Sequence, residues 1–333
     1  GFNLRTQPAN NPWSEWITNK QDNDFGIGLG EAYWRWHQKW DEFELAFTFG
    51  AARTVLAYDN VVQSLFDNDI RWDGFGWAFK YGQFGLNATQ YVLGAVNKGA
   101  KVGASTYTKN ESTDSVADTQ SHFSMLYAFQ PYVNFKISND ISSMFAIGWL
   151  NWSGTGASSA SGMFTNDIHG GTKGTVGNIS PVVLDNSSQW QFLSDTSLPY
   201  NLRLVGEVIV NKKLYYGTRT AMTTVAADRT AWAASLVWGK PKKAGDFYLS
   251  YSYGVKGLAS VIAYYSNNDV KPDNKSHFID ARYMLADNVT IQGKAQFHTE
   301  KALLDGTGQP LAAPNQNRKQ TYNRYELISS VAF

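Results

Sequence analysis

Apolar and polar positions alternate with a period of two along most of this chain. Between Tyr322 and Phe333 one parity holds Tyr325, Leu327, Ser329, Val331 and Phe333, and the other holds Arg324, Glu326, Ser330 and Ala332, with Ile328 as the exception. Successive side chains on a strand point to opposite faces, so such a segment has one oily face and one charged face. The pattern recurs. Glu31, Tyr33 and Arg35 oppose Ala32, Trp34 and Trp36. Glu44, Ala46, Thr48 and Gly50 oppose Phe43, Leu45, Phe47 and Phe49. Gly74, Gly76, Ala78 and Lys80 oppose Phe75, Trp77, Phe79 and Tyr81. Arg203 and Glu207 oppose Leu202, Leu204, Val208 and Val210, and Asp280 and Arg282 oppose Ile279, Ala281 and Tyr283. Further strands are expected at 2–7, 86–96, 122–136, 142–152, 188–194, 230–239, 246–253 and 289–299.

The pattern predicts about 14 strands joined by connections that alternate short and long. Tight turns are expected near 38–42, 82–85, 138–141, 240–245 and 286–288, and long polar connections at 97–121, 153–187 and 300–321. A soluble sandwich has no reason to sort its loops by parity, and it would carry its charges outside. Short turns at one end, long loops at the other, an aromatic face toward lipid and a wet interior describe a membrane barrel. The fold class expected is therefore all-β: an antiparallel transmembrane β-barrel, with 1–333 as a single domain.

Composition agrees. The 333 residues include 12 Trp, 18 Tyr and 19 Phe, or 15% aromatic, more than a packed core requires. Aromatic girdles at two membrane interfaces account for the excess. No run of 18 apolar residues is present, so no transmembrane helix is expected. The net charge of +1 argues against a nucleic-acid partner. The absence of cysteine removes thiol nucleophiles, thiolate metal sites and disulfides.

Several stretches resemble a family of bacterial outer-membrane porins. They are Gly30-Glu-Ala-Tyr33, Ser64-Leu-Phe-Asp-Asn-Asp69, Gly74-Phe-Gly76 with Phe79-Lys80-Tyr81, Val237-Trp-Gly-Lys240 with Lys242-Lys243 and Gly245-Asp246, Tyr251-Ser-Tyr253, and Tyr264-Tyr-Ser-Asn-Asn-Asp269. The ending on Phe333 also resembles the last strand of Gram-negative outer-membrane barrels. The resemblance implies two more strands upstream of Gly1 and hence about sixteen in all, with periplasmic short turns and external long loops. It implies a Gram-negative outer membrane, with lipid and lipopolysaccharide around the barrel, and a homotrimer.

The function expected is a water-filled channel for passive diffusion of small hydrophilic solutes and ions, with no cofactor. The parity assignments put Arg5, Arg35, Lys80, Lys136, Arg203, Arg282, Lys294 and Arg324 on the lumen wall with Glu31, Glu44, Glu207, Asp280 and Glu326. Eight basic against five acidic groups imply a bias toward anions or neutral solutes. The blander reading is that these charges pair across neighbouring strands and only hydrate the wall. A loop folded inward is expected to constrict the lumen. The candidates are 97–121, which carries Lys98, Lys101, Lys109, Glu111, Asp114 and Asp118, and 153–187. Asp59, Asp67, Asp69 and Asp73 form an acidic stretch in which Asp67 and Asp69 are weak calcium candidates; a solvated loop or a subunit-contact latch is the plainer reading.

Three other functions were weighed. A substrate-specific channel for sugars or anions would need an aromatic or basic ladder, and Tyr33, Tyr132 and Tyr248 do not form one. A plugged structural or adhesion barrel would need large inward side chains, whereas Gly, Ser, Ala and Thr fill many inward positions. An enzyme would need a nucleophile motif, and His37, His122, His169, His277 and His298 are scattered.

Overall fold

A computed structural model describes residues 2–7, 26–63, 65–66, 70–95, 123–153, 165–166, 182–183, 187–213, 216–218, 224–226, 228–257, 259–262, 274–300 and 321–331. Fourteen antiparallel strands form one sheet in which every strand pairs with its neighbours in the chain. They are β1 (Phe2–Gln7), β2 (Gly26–Trp40), β3 (Phe43–Ala52), β4 (Trp72–Tyr81), β5 (Phe84–Ala95), β6 (Phe123–Lys136) and β7 (Ser142–Ser153). There follow β8 (Ser188–Leu198), β9 (Leu202–Asn211), β10 (Thr230–Gly239), β11 (Phe247–Lys256), β12 (Asn274–Ala286), β13 (Val289–Glu300) and β14 (Thr321–Val331). Two short ribbons, Thr165–Asn166 with Val182–Val183 and Tyr216–Thr218 with Thr224–Ala226, lie in the long connections. The count agrees with the strands visible in the sequence. The two further strands implied by the resemblance have no counterpart in this sheet. β1 and β14 are its edges, and the sheet is not closed.

The strands are long enough to cross a membrane. Ten residues tilted by about 40° advance roughly 26 Å, the height of an apolar barrel belt. The outward face matches that medium. Trp34, Trp36, Phe49, Trp77, Phe129, Phe145, Ile147, Trp149, Leu204, Trp238, Leu249 and Tyr283 are all exposed. Neighbouring rings touch across strands, as in Phe47 with Trp77 at 4.2 Å and Trp238 with Phe247 at 4.7 Å. The opposite face carries the buried polar groups Asn87, Thr89, Gln130, Gln189, Gln191, Glu207, Asn211, Ser252 and Gln296. Large apolar groups outside and amides inside reverse a soluble protein, and a lipid solvent explains the reversal.

The sheet curls around its polar face. Tyr91 of β5 donates through its hydroxyl to Thr54 Oγ1, in the segment after β3. A few residues on, Val62 packs with Ala233 of β10 and Phe278 of β12. A flat sheet would hold β5 and β12 roughly 34 Å apart. Both meet one short segment, so the sheet is rolled about it.

The turn between β10 and β11 shows how the short connections are held. Asp246 accepts the backbone N–H of Lys242 and of Lys243, both at 3.0 Å. These two donors hold its carboxyl below the usual carboxylate range. The bonded turn is therefore complete above that range and is lost as pH falls through the lowered value. Hydrogen exchange at the Lys242 and Lys243 amides, corrected for intrinsic rates, is expected to speed up on acidification, and Asp246→Ala is expected to show the fast rate at neutral pH. Equal protection in the variant and the native chain would remove the cap from the account.

Candidate channel wall and inward loop

The segment between β3 and β4 leaves the sheet at Ala52, on the side of the long connections, and turns onto the polar face. It bears Val55, Leu56, Ala57, Val61, Val62, Leu65, Phe66 and Ile70, an apolar content that a solvated external loop has no use for. Phe66 is fully buried against Trp72 at 4.8 Å, edge on, and lies 5.7 Å from Tyr58 and 6.4 Å from Trp152. Leu56, Leu65 and Ile70 join the same cluster with Leu126, Leu150 and Ile209 of the wall. A second inward segment, 259–262, adds Ala259, Val261 and Ile262 to it. Gln189 of β8 donates to Ser260 O, and Asn211 of β9 donates to Ala259 O, both at 2.9 Å.

Polar anchors fix the backbone of the first segment. Ala57 N–H donates to Gln130 Oε1 at 2.8 Å, and Ala57 O accepts from Gln130 Nε2 at 2.7 Å and from Gln191 Nε2 at 3.0 Å. Gln130 Nε2 also donates to Gln191 Oε1, and Gln191 Nε2 donates to Glu207 Oε1 at 2.7 Å. Asp59 N–H donates to the same Glu207 oxygen at 3.3 Å, and Arg203 Nη2 donates to Asn60 Oδ1 at 3.2 Å. Strands β6, β8 and β9 thus hold residues 57–60 by side chains that are themselves buried, and a buried amide without such partners would be costly.

Small residues on the wall make this approach feasible. A Cβ added to Gly76 would lie 2.9 Å from Val55, and one added to Gly254 would lie 3.3 Å from Val62. Inward glycines read from the pattern as room for water are, at these two positions, room for the loop.

The inward loop differs from the two candidates read from the pattern. Lys98, Lys101, Lys109, Glu111, Asp114 and Asp118 lie outside the described residues, as does most of 153–187. Among the described residues the inward segments are 53–66 and 259–262. The acidic stretch is corrected with it. Asp67 and Asp69 lie outside the described residues, but Asp59 is buried and its carboxylate accepts the N–H of Val61 (2.8 Å) and Val62 (3.4 Å). That aspartate closes its own turn and docks on the wall, where the pattern suggested a solvated loop or a contact latch.

The charged residues share the face opposite the exposed rings, and most meet an opposite charge. Glu44 lies 3.3 Å from Lys39, 3.4 Å from Lys80 and 3.8 Å from His37. Glu31 meets Arg71 at 2.5 Å and Arg53 at 3.8 Å. Arg203 grips Asp195 with Nε at 2.7 Å and Nη2 at 2.6 Å. Arg282 grips Asp280 through Nε and Nη2 and stacks on Tyr248 with 4.7 Å to the ring centroid. Lys294 lies opposite both Asp280 and Glu326 and reaches Glu326 at 3.9 Å, and Arg324 also pairs with Glu326. Arg35 and Lys136 make no ion pair among the described residues. Arg5 lies opposite Gly28 in the β1–β2 ladder, and its side chain is outside the description. Glu207 is set apart from the other acids, 1% exposed beneath the loop.

Some wall residues were not singled out by pattern reasoning. Gln130, Gln191 and Asp195 carry much of the anchoring, and the inward glutamines gave no charge to count. The structure also joins Ser276 and His298, with the hydroxyl 2.8 Å from Nδ1 and Gln296 Oε1 3.3 Å from Nε2. Both side chains are fully buried, so this contact satisfies polar groups in the wall.

An aromatic outer face, a polar inner face and connections sorted by length give the chain the architecture of the transmembrane β-barrels of outer membranes. The sequence matches no protein-family model and no curated protein sequence, so the porin resemblance rests on the motifs quoted above. Two solved structures are similar in fold. One is OmpT, an outer membrane protein of Vibrio cholerae, at 11% identity, with 93% of this chain and 92% of that chain covered and a TM-score of 0.42. The other is a double variant of OccD1 (OprD), at 11% identity, with 86% and 74% covered and a TM-score of 0.34.

Proposed function

We propose that this chain is an outer-membrane porin through which small hydrophilic solutes and ions diffuse passively. The observation that carries the reading is the inward segment 53–66, anchored to β6, β8 and β9 within a wall that is charged inside and aromatic outside. A loop fixed in the lumen narrows it without filling it, and the half-buried and exposed charges of β2, β3, β4, β13 and β14 then line the remaining passage. No energy source or cofactor enters. No catalytic step is assigned, because the Ser276–His298 pair lacks access to a substrate. The proposal includes a homotrimer in a lipid and lipopolysaccharide bilayer, by the resemblance to general porins.

The second reading is a plugged barrel. It draws on the complete burial of Gln130, Gln189, Gln191 and Asn211, which shows that the inward segments seal part of the wall. Purified protein in planar bilayers separates the two. Stable stepwise openings support the porin, whereas insertion with no conductance at any voltage supports the plug.

Selectivity follows from the pairing. Four of the five wall acids read from the pattern are matched by a cation, and Arg35 and Lys136 are left over. A modest preference for anions is expected from reversal potentials in a salt gradient. Arg35→Glu with Lys136→Glu is expected to remove that preference or invert it. A strong cation preference in the native protein would reject the charge argument and leave the pore intact.

A further inference from the structure

We propose that Glu207 and Asp59 are the positioning pair of the inward loop and that they make its docking proton-linked, so that the loop is released as pH rises. The inference rests on the porin reading above and adds a regulation to it.

Glu207 sits in the middle of β9 on the inner face, 1% exposed. Its Oε1 accepts from Asp59 N–H of the loop and from Gln191 Nε2 of β8, and its Oε2 is buried with no hydrogen-bond partner among the described residues. Asp59 is completely buried against it. The charged groups around the pair are few. Asp195 of β8 faces Asp59, Arg203 lies four residues before Glu207 on β9 and acts on Asp59, and Lys256 of β11 acts on Glu207. β10 brings Ala233, opposite Glu207 in the ladder, and is neutral there. Three carboxyls thus share a desolvated site with two cations. Arg203 is already committed to Asp195 by a two-pronged bond.

Ionising both Asp59 and Glu207 would bury an excess negative charge, with one carboxylate oxygen left unbonded. A single proton on the pair removes that excess. Burial pushes the Asp59 carboxyl up, and Asp195 adds to the rise, against the pull of the Val61 and Val62 N–H groups and of Arg203. When the loop leaves the wall, Asp59 returns to water and ionises in its ordinary range. The docked state therefore binds more protons than the released state. Linkage makes docking favourable at low pH and weaker as pH rises.

The test uses the absence of native cysteine, so that a single nitroxide can be placed on the loop through Val61→Cys. Its mobility is read in bilayers from about pH 6 to about pH 9, the range reached by buried carboxyls. Conductance is recorded in parallel. An immobile label that becomes mobile with rising pH, with a conductance increase of about twofold or more, is the expected result. Glu207→Gln keeps the acceptor for Asp59 N–H and is expected to hold the label immobile across the range. A label equally immobile throughout in the native background, or an unchanged transition in Glu207→Gln, overturns the proposal. Absence of conductance with the label transition intact would reject the porin reading alone.

Discussion

Gln191→Leu is expected to raise single-channel conductance several-fold and to make the openings noisy. The side chain is fully buried and takes part in three bonds, to Ala57 O, Glu207 Oε1 and Gln130 Nε2. Leucine has nearly the same volume, so the change removes polar contacts without opening a hole. Each bond contributes about 1 kcal/mol net, and each buried partner left unsatisfied costs about 1–3 kcal/mol. Ala57 O keeps Gln130, so the loss falls mainly on Glu207 and Gln130. A total on the order of 3 kcal/mol shifts the docked-to-released ratio by about a hundredfold. The bonds of the β7–β8 and β8–β9 ladders are untouched, so heat resistance of the barrel in detergent is expected to stay as in the native protein. Native conductance and noise in the variant would show that the loop is held elsewhere.

Phe66→Ala carries the other large effect. The ring is 0% exposed and is surrounded by Trp72, Trp152 and Tyr58. Truncating such a ring costs about 3–5 kcal/mol, from lost transfer energy and from the cavity left behind. The loss bears on the loop, because Trp72 and Trp152 belong to strands whose backbone ladders remain complete. Faster cleavage within 53–66 by added protease is expected, with an unchanged barrel melting temperature. If instead the barrel melts early and the loop stays resistant, the aromatic cluster is a brace of the wall.

Much of this architecture was legible in the sequence, and the legible part was local. The parity of Phe43–Gly50 or of Leu202–Asn211 sorts side chains between two faces because a strand alternates whatever lies around it. An excess of Trp and Phe on one parity then identifies the medium outside. The turns at 82–85 and 240–245 were legible for the same reason, since a short polar break between two alternating runs leaves one geometry open.

The site was less legible. The apolar residues of 53–70 signalled a buried segment, and the acidic residues among them drew the reading toward a solvated loop. Asp59 could be understood only when Glu207, 148 positions away, was found beside it. The pairing of Arg203 with Asp195 likewise depends on the register of β8 against β9, in which Asp195 faces Val205 and Ser197 faces Arg203. By itself, then, the sequence determined the strands, their two faces and the solvent each face requires. Tertiary structure decided which loop enters the lumen and which charges remain unpaired. Those outcomes depend on how far the sheet rolls and which distant strands meet a given segment, and no pattern of near neighbours in the chain contains that distance.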